Sequence, residues 1–359
     1  MDGINAEPPN VEEYFTSYED LEVHRLMLED RPRQQAYQEA ILSNKELFAG
    51  KTVLDVGAGT GILSIFCAQA GASKVYAVEA SNMAKLAEKI INENGFERII
   101  EVHQTKIEDF HLAGADQHQI DIIVSEWMGF YLLHEGMLDS VLFARDKFLK
   151  SNGSMFPQNA SISVAPCQLP SLFEAWNIHD GVQMKSFGAA LRAQKSMKPD
   201  IAIVSPEDLL HEGTVIAWID LNDVQSNDLN EFHFDEIIVV KKNGCYQGIC
   251  MWFDVEFPMN NNGDTVILST APKAESTHWM QTIILLPDHV QQLMEIGDPI
   301  AFRLLMKRNP DNKRQYKIEF EMLDSNEVEH SVPCDCNMTK CILIKEHIKC
   351  IDVEIPNLV

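Results

Sequence analysis

The stretch Val53-Leu54-Asp55-Val56-Gly57-Ala58-Gly59-Thr60-Gly61 decides how this chain folds. Thr52 to Val56 is a short apolar run with the look of a buried strand. It passes directly into Gly-x-Gly-x-Gly and then into a helical stretch, Gly61 to Ala70. Glycines in such a turn permit φ > 0 and let a ligand approach the backbone. The dinucleotide fingerprint is Gly-x-Gly-x-x-Gly. Here the third glycine comes one residue early, and Asp55 stands two residues before the first.

An acid beside the turn repels a pyrophosphate. It suits a ligand with an ammonium group and no phosphate, such as S-adenosylmethionine; a tight turn with no ligand is the plain alternative. Downstream, strand and helix alternate. Lys74 to Val78 reads as a second strand and Met83 to Asn94 as a helix capped by Gly95. Ile99 to His103 and Ile120 to Ser125 are further strands, and Gly136 to Phe148 a further helix. This alternation predicts a parallel sheet with helices on both faces. Upstream, Val11 to Phe48 has helical spacing at Leu21, His24, Met27 and Leu28, interrupted by Pro32, which marks a kink or a restart.

After Phe156-Pro157 period-two alternation takes over. Ile249, Met251, Phe253, Val255 and Phe257 share one face of Gly248 to Phe257, and Gln315 to Met322 alternates likewise. Thr265 to Leu268, Thr282 to Leu286 and Ile300 to Met306 are further strands. The pattern predicts an antiparallel β-barrel or sandwich. Ser171 to Gln194 reads as a helical insertion, too rich in large apolar groups to be a solvated excursion.

Three more segments carry chemistry. Glu79 ends the second strand, where an acid lies over the ribose of an adenosine ligand; alone, such a residue is ordinarily surface. Glu126 follows a buried strand, at the sheet edge where open α/β folds bind ligands, and Glu135 lies nine residues later beyond an apolar loop. Two carboxylates held there need a cation between them, or one must take a proton. A planar, permanently charged guanidinium fits; two unrelated acids are the alternative. Ser276-Thr277-His278-Trp279 places a histidine in a loop of the second domain.

The 359 residues carry 29 Lys+Arg and 54 Asp+Glu, a formal charge of −25. That balance disfavours direct nucleic-acid binding, which needs clustered cations. It suits basic partners, or serves solubility alone. No apolar run suggests a membrane helix, and the polar N-terminus is not a signal peptide. Eight scattered cysteines suit a reducing compartment. Cys334, Cys336, Cys341 and Cys350 invite a zinc reading, but their spacing fits no standard knuckle, so no metal is expected.

Taken in order, the Gly-rich turn, the strand-end acid, the double-glutamate loop and the Thr-His-Trp loop resemble the protein arginine methyltransferase family. So does Tyr14-Phe15-x-x-Tyr18 near the N-terminus. The resemblance runs from about Tyr14 into the 320s. It implies a Rossmann-like methyltransferase domain, α/β, followed by an antiparallel β-barrel domain with a helical dimerisation arm. The expected layout is a tail over 1–13, N-terminal helices and cofactor domain over 14–156, and a substrate domain over 157–359 with the arm at about 171–194.

The resemblance also implies roles. Arg33 matches the arginine that pairs with the cofactor carboxylate, and Tyr18, His24, Met27 and Met137 match residues around the covered cofactor. Asp55, Gly57 and Gly59 match the cofactor turn, Glu79 the ribose acid and Glu108 the acid near the adenine amine. Glu126 and Glu135 match the substrate-arginine clamp, with Trp279 walling the tunnel. His278 matches a loop histidine paired with an acid of the N-terminal helix, here Asp30. Phe130, Gly136, Arg25 and Leu26 depart from the usual Tyr, Ser and two acids. The implied activity is S-adenosylmethionine-dependent arginine N-methylation of type I, giving mono- and asymmetric dimethylarginine, by a homodimer. Arg-rich or Gly-Arg-rich proteins, histone tails included, are the implied substrates. The nucleus is the implied compartment, with the cytoplasm second. Lys307-Arg308 and Lys313-Arg314 add little, being common on turns. A scaffold that binds Arg-rich tails with weak catalysis is the alternative.

Overall fold

The strand before the Gly-rich turn is the centre of a five-stranded parallel sheet. Its members are β1 (Thr52–Val56), β2 (Lys74–Glu79), β3 (Ile100–Gln104), β4 (Ile120–Val124) and β5 (Leu149–Phe156), in the order β3-β2-β1-β4-β5. The order reverses between β1 and β4, so the turn after β1 and Glu126 after β4 flank the switch point, where such sheets bind ligands. The computed structural model describes residues 20–112 and 118–353. The tail expected over 1–13, the Tyr14-Phe15 signature and Tyr18 lie outside the described residues.

Helices α1 (Leu21–Glu29), α2 (Arg31–Ser43), α3 (Lys45–Phe48), α4 (Ile62–Gln69), α5 (Met83–Glu93) and α6 (Leu138–Phe148) cover this sheet. Pro32 marks a restart. Asp30 ends α1 and caps α2, its Oδ1 accepting the Arg33 N–H at 3.1 Å, and proline is tolerated in that first turn. The helix expected from Gly136 begins only at Leu138. Gly136 has φ +61°, and a Cβ there would lie 3.0 Å from the Lys313 oxygen. Glycine at this position admits a second chain segment rather than forgoing a cap.

Beyond Phe156 the pairing becomes antiparallel. The strands are β6 (Asn159–Cys167), β7 (Asp200–Ala202), β8 (Thr214–Asp220), β9 (Glu231–Val239), β10 (Gly244–Tyr246), β11 (Gly248–Glu256), β12 (Ile267–Ser269), β13 (Gln281–Leu285), β14 (Gln292–Met294), β15 (Pro299–Arg308) and β16 (Tyr316–Leu323). Among the described residues they are hydrogen-bonded as sheets of six, three and two strands. The alternating face of β11 joins the main core through Ile249, Met251, Phe253 and Val255. Its other face, with Cys250 and Trp252, is buried in a second cluster.

The helical insertion expected over Ser171 to Gln194 holds a single helical turn at Glu174–Trp176 and one longer helix. A turn at Asp180-Gly181, both at positive φ, brings His179 against Val182, and the helix α7 (Lys185–Lys195) follows. Gly188 of α7 packs on Trp176, where a Cβ would sit 2.7 Å away. A final helix, α8 (Thr339–Val353), was not anticipated. Its apolar Ile342, Leu343 and Ile344 are consecutive and exposed, so no amphipathic period announces it. No helix among the described residues is long and apolar enough to cross a membrane.

Candidate active site

A cavity of about 380 Å³ opens at the switch point, between the Gly-rich turn, α1 and the loops after β4 and before β13. The turn needs its glycines. Gly57, Gly59 and Gly61 all have positive φ, and a Cβ on Gly57 would meet the Met137 Cε at 2.2 Å. Glu79 reaches back beneath the turn. Its Oε2 accepts the Gly59 N–H at 2.9 Å and its Oε1 the Ser81 N–H at 2.8 Å, which leaves each oxygen further acceptor capacity toward the cavity. Glu108 lines the same wall and accepts from Ser140 Oγ at 2.7 Å. His24 and Met27 of α1 and Met137 close the opposite side.

Asp55 lies behind the turn, fully buried and outside the cavity wall. Its Oδ2 accepts from Ser64 Oγ at 2.6 Å, and its Oδ1 has no partner. Burial pushes its carboxyl up to about 7; the Ser64 bond opposes this and the nearby Glu79 charge adds to it.

Glu126 and Glu135 both wall the cavity. The loop between them is bent hard: Tyr131, Leu132 and Glu135 all have positive φ. Non-glycine residues in that region cost about 1–3 kcal/mol each, strain typical of functional loops. Packing holds the strain. Tyr131 Oη pairs with His134 Nδ1 at 2.8 Å, and burial lowers His134 to about 4, so the ring is neutral. The Glu135 N–H donates to the Arg314 oxygen at 2.7 Å, and Arg314 Nη1 donates to the Glu135 oxygen at 2.8 Å. Tyr37 Oη donates to the Ser125 oxygen at 2.9 Å, setting the strand end that carries Glu126.

Arg33 sits against Glu126. Its Nε and Nη2 donate to one oxygen, Oε2, at 2.9 and 2.7 Å, and its Nη1 to the Met27 oxygen at 3.2 Å. The arginine that the resemblance assigns to the cofactor therefore also touches the clamp, and its remaining N–H groups are left for another acceptor. Asp30 does not line the cavity but holds a residue that does. Its Oδ2 takes the His278 backbone N–H at 2.9 Å and Nδ1 at 2.6 Å. Burial pushes the Asp30 carboxyl upward, but the His278 side-chain and backbone bonds and the Arg33 N–H outweigh it, leaving a net shift below the usual value. An ionised Asp30 accepts the Nδ1 proton, so the lone pair of a neutral His278 ring is on Nε2. Trp279 is buried, with its indole N–H donated to the Met128 oxygen at 3.1 Å.

Residues 158–325 match the family described as Arginine methyltransferase oligomerization subdomain, and residues 38–133 match Ribosomal protein L11 methyltransferase. Protein arginine N-methyltransferase 6 of Xenopus tropicalis is 40% identical over 288 residues, covering 78% of this chain and 82% of the relative. Protein arginine N-methyltransferase 2 of Homo sapiens is 37% identical over 314 residues, covering 86% and 71%. The solved Trypanosoma brucei PRMT1 enzyme-prozyme heterotetrameric complex with AdoHcy superposes with a TM-score of 0.75 at 32% identity, over 88% of this chain and 98% of that one.

This chain belongs to the protein arginine N-methyltransferase family. The cavity fits the family's cofactor, S-adenosylmethionine, on its own geometry. It offers a glycine turn that side chains would fill and a strand-end carboxylate with open acceptor sites. Of the four departures from the family pattern, Arg25 and Gly136 lie outside the cavity wall and Leu26 and Phe130 line it. Arg25 points away, bonded to Glu22 and Glu29 on the exposed face of α1. Leu26 and Phe130 do line the cavity, replacing polar groups with apolar wall. Sequence reasoning missed Arg314, whose only signal was a basic pair on a turn, and Ser140, which had none. Of the other pair, Lys307 is exposed, while Arg308 is buried and ion-paired to Asp139 at 2.9 Å.

Proposed function

We propose that this protein transfers methyl groups from S-adenosylmethionine to the guanidino nitrogens of arginine side chains in proteins, giving mono- and asymmetric dimethylarginine. One observation carries the reading: Glu126 and Glu135 wall the same cavity as the Gly-rich turn and Glu79. The bound cofactor supplies an electrophilic methyl group on a sulfonium. Gly57, Gly59, Glu79, Glu108 and the spare N–H groups of Arg33 would hold it, with Met137 and Met27 excluding water. Glu126 and Glu135 bind the substrate guanidinium and draw its delocalised charge toward themselves. That frees the lone pair of the nitrogen opposite to face the methyl. In an in-line displacement such positioning is a large share of catalysis. Asp30 orients His278, whose Nε2 accepts the proton released once transfer is under way.

The type I product is supported by Met27 in the cavity wall, where a bulkier aromatic would leave less room for a second methyl. A homodimer is supported by the match to an oligomerization subdomain. The insertion before β7 also exposes Ile178 (64%) and Phe187 (53%), an apolar surface suited to a partner copy. Arg-rich and Gly-Arg-rich proteins, histone tails among them, are the proposed substrates, and the nucleus the proposed main compartment; both rest on the resemblance. The test is incubation with radiolabelled cofactor and a Gly-Arg-rich peptide, then amino-acid analysis. Labelled mono- and asymmetric dimethylarginine is expected. Symmetric product would overturn the type I assignment, and absence of labelled arginine the activity itself.

A further inference from the structure

Four side chains far from the cavity in sequence and wall converge just before and within α8. His330 Nδ1 and the Sγ atoms of Cys334, Cys336 and Cys341 all lie within 4.8 Å of one another. The imidazole nitrogen stands 3.4, 3.4 and 3.2 Å from the three sulfurs in turn. Around a tetrahedral zinc ion, bond lengths of about 2.3 Å to sulfur and 2.0–2.1 Å to nitrogen put ligand atoms about 3.6–3.8 Å apart. The nitrogen–sulfur distances here are slightly shorter than that, and no two of the four atoms are farther apart than 4.8 Å.

From this convergence we propose that His330, Cys334, Cys336 and Cys341 form a structural Cys3His zinc site that fastens the C-terminal helix to the β domain.

The second ring nitrogen of His330 carries the argument. Nε2 lies 2.7 Å from the Ser325 carbonyl oxygen, which can only accept. Nε2 therefore holds the ring proton, and Nδ1 presents its lone pair to the sulfurs. Metal-bound histidines are ordinarily fixed in this way through their other nitrogen. Burial points the same way. Cys334, Cys336 and Cys341 are 7%, 3% and 3% exposed, and Cys341 is the only buried residue among the described side chains of α8. Ile342, Leu343 and Ile344 of that helix face outward, so apolar packing does not hold it. Buried cysteines can act as small apolar residues, and these touch Val239 and Met338. A single S–H donor would satisfy that nitrogen; three buried sulfurs all turned onto one imidazole lone pair make a ligand set.

Soft thiolates with one imidazole select zinc over hard cations, and four protein ligands leave no open position for catalysis. Binding Zn²⁺ displaces the three thiol protons to solvent, giving a site of net charge −1. Lys345 and Lys241, gathered at Asp335 between two of the cysteines, place cations beside it. The ligand spacing also explains why the cysteines alone mislead. Cys350 is exposed and outside the cluster, and the fourth ligand is a histidine that precedes it.

The test uses the full untagged chain, purified in reductant after expression with added zinc, and does not depend on methyl transfer. Elemental analysis is expected to find about one zinc per chain, unchanged in Cys350→Ser and lost in Cys336→Ser. Since a ligand variant can also misfold, the wild-type chain, stripped of metal and titrated with Co²⁺, gives a second readout. It is expected to develop thiolate charge-transfer bands and the intense visible bands of a tetrahedral site at one equivalent. Two results would overturn the proposal: wild-type protein with under about a tenth of an equivalent of zinc and no such cobalt bands, or full zinc retention by Cys336→Ser.

Discussion

Glu126→Gln and Glu135→Gln separate what each acid does. Glu126 Oε2 holds both Nε and Nη2 of Arg33, between side chains each 8% exposed. Glutamine keeps the shape and one acceptor oxygen but removes the charge and puts an NH₂ beside a guanidinium. A hydrogen bond to a charged group is worth about 1.5–3 kcal/mol, and stripping one partner from a buried pair costs about 3–5 kcal/mol. Glutamine lies below that ceiling, so a destabilisation of about 2 kcal/mol is expected, seen as a melting temperature several degrees lower. Glu135 differs, because its backbone is tied to Arg314 through both N–H and carbonyl whatever its side chain. Glu135→Gln keeps those backbone ties and leaves the Arg33 pair intact, so the larger destabilisation is expected from Glu126→Gln. Each substitution removes half of the guanidinium clamp, so each should lower methyl transfer at least ~100-fold, about 2.7 kcal/mol of barrier. Calorimetry of the free proteins and single-turnover methyl transfer with an Arg-rich peptide make the comparison. Near-normal turnover in either variant would refute the clamp; equal destabilisation by both would refute the role given to Arg33.

Glu79→Ala should weaken S-adenosylmethionine and its demethylated product together, by about tenfold or more, because one charged hydrogen bond to a ribose hydroxyl is worth that much; calorimetry showing unchanged affinity for both would remove Glu79 from the site. Asp55 predicts a pH effect. In the folded chain it keeps its proton up to about pH 7, while an unfolded aspartate loses it near pH 4. Ligand-free stability should thus decline as pH rises from about 4 to 7 and level off above, and Asp55→Asn should flatten that decline in urea unfolding at a series of pH values. With a formal charge of −25, encounter with basic peptides should be steered. Raising salt should lower kcat/KM steeply for a multiply basic peptide and much less for a peptide with a single arginine, with kcat unmoved; equal responses would assign the acidity to solubility.

Local pattern alone determined much of this protein. Buried parallel strands are written as short apolar runs, and a ligand turn needs glycine where φ is positive, so β1, β2, β4 and the Gly57–Gly61 turn were legible to within a residue. So were the acids at strand ends, because a strand that stops at a sheet edge leaves its next residue at the binding crevice. What the sequence could not express is proximity without periodicity. Arg33 meeting Glu126 and Arg314 bracing Glu135 each join segments far apart in the chain, and Asp30 holding His278 was expected only through the family resemblance. Nothing in their local spacing records those distances. The helix expected from Gly136 begins at Leu138, and the helical insertion expected over Ser171 to Gln194 is broken by a turn, for a related reason. A contact with Lys313 and a turn at Asp180-Gly181 override local helical propensity. The same holds for His330: read along the chain, the cysteines had the wrong spacing and the wrong fourth member. Only the packing of the segment after β16 against the start of α8 gathers three sulfurs around one imidazole nitrogen.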